Sequence, residues 1–66
     1  MQLNNPIKMI TLTHANTGDV VNVVASLIFA YYYSNTHQAT IVVGLGGAMF
    51  PVKESPIDIN EKLTNV

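Results

Sequence analysis

Few side chains in this chain are equipped for chemistry. His14 and His37 are its two imidazoles, and each falls in a turn-forming stretch. Neither has an Asp or Glu at the spacing a metal site needs, so a metal would require ligands from several subunits. Ser26, Ser34 and Ser55 lack the strand–turn–helix elbow that presents a nucleophilic serine. Ser55 has another role, because Pro56 follows it and Asp58 stands three residues on, which is the pattern of a capping box. No catalytic constellation is present, and the expectation is a protein that is not an enzyme and carries no cofactor.

Two clusters suit binding instead. Gly44, Gly46 and Gly47 form a glycine-rich turn, with Lys53 a few residues on. The dinucleotide pattern G-x-G-x-x-G is incomplete, since Met49 stands where its third glycine belongs and Pro51 follows where a helix should. A hairpin turn is the direct reading. The alternative is an anion nest of exposed N–H groups, taking a phosphate-bearing small molecule where several subunits gather such loops beside Lys53. The second cluster is Phe29 with Tyr31, Tyr32 and Tyr33. In a strand Tyr31 and Tyr33 share one face and Tyr32 takes the other, so one face must place tyrosine outside the core or in an interface. A partner or subunit contact is the expected use. Stacking on nucleobases is disfavoured because no basic groove accompanies the rings.

Composition agrees with binding. A chain of 66 residues is read as one domain, 1–66, and such a chain buries only about 60% of its unfolded surface. No cysteine is available to staple it. Hydrophobic residues make up 48% and charged ones 11%, against roughly 25% charged in ordinary domains. Sticky surface should result, and a homo-oligomer would cover it. The net charge of −1, with three lysines (Lys8, Lys53 and Lys62) and no arginine, argues against a nucleic-acid partner. The apolar runs Val20–Tyr33 and Ala39–Val52 are interrupted and fall short of the ~20 residues of a spanning helix. The first residues, MQLNNPIKM, are not a signal peptide. A cytoplasmic location without membrane contact is expected.

The elements that must position these residues follow from the apolar pattern. Met1–Pro6 is a polar lead-in. Ile7–Thr13 alternates as a first strand, and a loop with Gly18 leads to the β-branched strand Val20–Val24. Ala25-Ser26-Leu27 makes a corner, Ile28–Ser34 a third strand, Asn35–Gln38 a turn and Ala39–Val43 a fourth strand. A helix over Val24–Tyr33 competes, but β-branched and aromatic residues favour the strand. After the glycine turn, Ala48–Lys53 is the fifth strand, with Pro51 marking an edge or bulge. A helix over about 56–64 offers Ile59, Leu63 and Val66 as one apolar stripe.

In this layout the chain resembles the FlbD/SwrD-like family of small flagellar-associated proteins, and phage proteins share the same domain pattern. The resemblance rests on Ile10-Thr11-Leu12-Thr13, Gly18, Val20–Val24, Ile28, Thr40-Ile41-Val42-Val43, Gly46-Gly47 and Val52-Lys53-Glu54-Ser55. It covers roughly Ile7 to Leu63 and implies a compact β domain that acts by binding, with no catalytic residues to transfer. The expected fold is mostly β with one C-terminal helix (α+β), a small five-stranded antiparallel sheet or partly open barrel. The expected function is a non-catalytic interaction protein that binds a host or regulatory protein through an oligomeric β surface. Two alternatives stand beside it. One is an oligomeric phage protein that sequesters a nucleotide signal against host defence, acting in the host cytoplasm. The other is a flagellar motility accessory.

Overall fold

The computed structural model describes residues 7–65. Five strands and one helix follow in chain order: β1 (Met9–Thr13), β2 (Val20–Val24), β3 (Ile28–Ser34), β4 (Ala39–Gly44), β5 (Met49–Val52) and α1 (Pro56–Thr64). The fold is mostly β with one C-terminal helix, as the periodicity predicts. The segment from Val24 is not a helix. Ala25–Leu27 forms one 3-10 turn, and β3 leaves it directly.

The strands do not make one five-stranded sheet. β1 pairs with β2 in a two-stranded sheet, and β3, β4 and β5 form a three-stranded sheet with β4 in the centre. All pairings are antiparallel. The sheets meet where the end of β1 touches the end of β5. His14 and Val52 form a single bridge, the Lys53 N–H donates to the Thr13 carbonyl at 2.9 Å, and the Ala15 N–H donates to the Pro51 carbonyl at 3.0 Å. Pro51 has no N–H to return to Ala15, and on the other side of the bridge the Thr13 N–H is taken by Glu54 Oε1, so the pairing stops at this bridge.

Local chemistry sets the turns. The His14 N–H reaches the Asp19 carbonyl at 2.8 Å, and the Gly18 N–H returns to His14 at 2.9 Å. Gly18 sits at φ 79°, which only glycine adopts freely. At the start of α1 the predicted capping box is present. The Asp58 N–H donates to Ser55 Oγ at 3.1 Å, and the Ser55 N–H donates to the Asp58 carboxylate at 3.4 Å. The helix closes with the Asn65 N–H on the Glu61 carbonyl at 3.1 Å. The predicted lead-in Met1–Pro6 and the stripe residue Val66 lie outside the described residues.

The core lies between the two sheets and the helix. Ile10 and Leu12 from β1, Val42 from β4, Val52 from β5 and Ile59 from α1 are buried together. Val23, Ala25, Ile28, Tyr31, Phe50 and Leu63 pack around them. Burying side chains of this size contributes about 1.5–3 kcal/mol each. The helix needs that packing, because nine residues are too few for an isolated helix in water.

Candidate functional site

The seven charged residues are Lys8, Asp19, Lys53, Glu54, Asp58, Glu61 and Lys62, so none lies from Val20 to Val52. The whole three-stranded sheet falls in that interval. Its register fixes what each face carries. Tyr31, Val42 and Phe50 lie side by side and face the core. On the opposite face Ala30, Val43 and Met49 form one row, and Tyr32, Ile41 and Pro51 form the next. Ile41 is only 5% exposed although it stands outside the core cluster. Tyr32 and Pro51 flank it as its cross-strand neighbours. The outward face of the sheet is therefore apolar as well as the inward one.

A bulge at the start of β3 sharpens this surface. The register slips by one residue between Ile28 and Ala30. The extra residue lets both Ile28 and Tyr31 pack against the core, and it re-aims Phe29. Phe29 is 75% exposed, Leu45 61%, Met49 58% and Tyr32 47%. Phe29 also lines a groove of about 280 Å³ with Val43, Leu45 and the three glycines Gly44, Gly46 and Gly47. Gly46 and Gly47 take φ of 83° and 86°, as the turn reading requires. The groove wall holds apolar side chains and glycine main chain, with no charged group. Lys53 is not part of it. It follows the far end of β5, about 17 Å from Ala48 at roughly 3.4 Å per residue. Within one chain the glycine loop and Lys53 are separated by the length of that strand.

The aromatic cluster divides into different roles. Tyr31 packs against the core, and its hydroxyl donates to Asn60 Oδ1 on α1 at 3.3 Å. Tyr33 has the same parity but lies exposed near the end of the strand. Tyr32 and the bulged Phe29 are the side chains offered on the outward surface.

The histidines are held in turns. His14 Nδ1 accepts from the Asn16 N–H at 3.2 Å. His37 Nδ1 lies 2.9 Å from Ser34 Oγ, and the His37 N–H also donates to that oxygen at 3.3 Å. Sequence reasoning missed this Ser34–His37 pair, whose signal is Ser-x-x-His across a tight turn. A working nucleophile needs a third group to orient the imidazole and donors for an oxyanion. Here the double link clasps the β3–β4 turn. Among the described residues no group of three or more His, Asp or Glu is placed to hold a metal ion.

A second, polar groove of about 610 Å³ runs between β1 and α1, with Thr11, Glu54, Asp58, Glu61, Lys62 and Asn65 on its walls. Glu54 is already engaged. Its Oε1 accepts from the Thr13 N–H and its Oε2 from the Thr13 hydroxyl, both at 2.9 Å. Burial pushes the Glu54 carboxyl up. The bonds from Thr13 and from its own N–H, with the nearby Lys62 charge, outweigh that and hold it below its ordinary 4.5. This clip ties the end of β1 to the hinge before α1. No helix among the described residues is long and apolar enough to cross a membrane. Comparison of the chain with protein-family models, with curated proteins and with solved structures finds no match.

Proposed function

We propose that this protein acts by binding and not by catalysis, as a self-associating interaction protein that docks a protein partner on the outward face of the β3–β4–β5 sheet. The observation that supports this reading is the charge-free surface on which Phe29, Tyr32, Leu45 and Met49 stand exposed together. Exposed apolar area of this kind is characteristic of interaction sites. Tyrosine, phenylalanine and methionine are enriched in the centres of interfaces, and charges are depleted there. The FlbD/SwrD-like pattern also points to a β domain that binds. It adds the flagellar-accessory reading as a special case of the same activity.

The test is capture of partners from the native host lysate by the wild-type protein and by a Phe29→Ala/Tyr32→Ala double variant. Tyr31 is left intact because it anchors α1. The reading requires that a specific partner seen with wild type be lost with the variant while the fold, followed by circular dichroism, is retained. Undiminished capture by a folded variant would sink it. The nucleotide-sequestering alternative takes no support from the apolar groove. It would need Lys53 of another subunit brought to the glycine loop.

A further inference from the structure

The free edge of β3 bears on the self-association proposed above, and the inference drawn from it rests on that reading. β3 is an edge strand of its sheet and, at seven residues, the longest strand among the described residues. Among the described residues no other segment makes a main-chain hydrogen bond to its outer side. Such an edge presents a row of N–H and C=O groups ready to pair with another strand. Natural edges are usually guarded by lysine, proline or an inward charge. β3 reads Ile-Phe-Ala-Tyr-Tyr-Tyr-Ser and has none of these. Its one protective feature is the bulge at Phe29, which lies at the strand start and leaves Ala30–Ser34 in regular register.

We propose that the occupant of this edge is β3 of a second copy, paired antiparallel across a two-fold axis so that the two three-stranded sheets become one of six strands. Two arguments select a copy of the same chain. The first is charge. Two identical surfaces repel wherever they carry charge, and this sheet carries none, so like meets like without penalty. A lipid surface is a poorer fit, because Lys8, Lys53 and Lys62 all lie outside the sheet and surface-bound elements usually flank their apolar face with such residues. The second is area. Leu27, Phe29, Tyr32 and Tyr33, all exposed and on or beside β3, together present roughly 400 Å² of side chain, taking 150–250 Å² for a whole aromatic residue. That is about half of the ~800 Å² per partner in a stable dimer. The paired main chain of β3 extends the same surface.

The experiment is native mass spectrometry with amide hydrogen exchange on the full chain. The variants are Tyr32→Lys, which sets a charge on the edge strand, and Ile57→Lys, which sets the same charge on an exposed apolar position of α1. Wild type and Ile57→Lys should run at twice the 7.2 kDa chain mass, with slow exchange across β3. Tyr32→Lys should run as a folded monomer with β3 exchange at least tenfold faster. If Tyr32→Lys unfolds, Ala30→Lys on the same face replaces it. A wild-type dimer whose β3 exchanges as fast as in the monomeric variant overturns the edge pairing but leaves self-association through the sheet face standing. A wild-type monomer overturns both, and association seen only on anionic vesicles assigns the surface to lipid.

Discussion

Replacing Glu54 should weaken the fold in proportion to the two hydrogen bonds it accepts. Both run from Thr13, one from its N–H and one from its hydroxyl, at 2.9 Å. A hydrogen bond to a charged group is worth about 1.5–3 kcal/mol. The site is only partly buried, so the lower end applies and the bonds share one carboxylate. Glu54→Ala should therefore cost about 2–3 kcal/mol. Folding stability near 0.05–0.15 kcal/mol per residue leaves a domain of this size roughly 3–10 kcal/mol in all. The loss should thus be easily visible, as a fall in Tm of about 8–24 °C at 4–8 °C per kcal/mol. Glu54→Gln retains the shape and one acceptor, and should lose about half as much.

Acid should erase the difference. The folded carboxyl titrates below its ordinary 4.5, so around that pH the unfolded chain binds more protons than the folded one. The clip's contribution is complete above the ordinary value and fades as pH falls through the lower, folded value. Urea titrations of wild type and Glu54→Ala, at one fixed protein concentration because any association would also stabilise, should diverge near neutral pH and converge in strong acid. A loss under about 0.5 kcal/mol at neutral pH, within the range of an ordinary surface change, would refute the clip. A loss that persists undiminished in acid would refute the ionised form of it.

Three further changes test other parts of the fold. Ser55→Ala removes the oxygen that accepts the Asp58 N–H and should cost about 1 kcal/mol, read as lower Tm and less helical signal at 222 nm. Gly46→Ala places a side chain at φ 83° although nothing within 4 Å opposes its Cβ. It should lose about 1 kcal/mol or more through backbone strain alone. Gly44→Ala has ordinary φ and meets only the Leu27 and Ala48 carbonyls at 3.6 and 3.9 Å, so equal losses at both positions in urea titrations would contradict this account. Ile59→Ala empties the one buried position of α1 and should cost about 2–5 kcal/mol, with proteolysis of the helix as a sensitive second readout.

What the sequence made legible was local. Val20–Val24 and Ile28–Ser34 announce themselves by β-branched and aromatic content, and Ser55-Pro56 with Asp58 announces a helix start, because each signal is complete within a few residues. The Glu54 clip was not legible. Its partner Thr13 lies 41 positions away, and the same glutamate reads just as well as a solvated hinge residue. The split of the five strands into two sheets was hidden for a related reason. Pro51 marks a missing donor, but only the tertiary arrangement shows that Ala15, just past β1, is the neighbour left without it.

The surface was half legible, and the bulge shows why. Strict alternation puts Phe29, Tyr31 and Tyr33 on one face and sets Tyr32 alone on the other. One extra residue after Ile28 breaks that parity, so that Ile28 and Tyr31 both reach the core and Phe29 is released to solvent. A bulge has no strong sequence signature when no glycine forms it. The scarcity of charge was visible from composition, but composition could not place it. Only the register shows that the uncharged interval supplies both faces of one sheet together with its open edge. A domain whose inner face already satisfies its core has no folding reason to make the outer face apolar too. The residues exposed there carry the contact proposed above, and that surface is where experiments on function should begin.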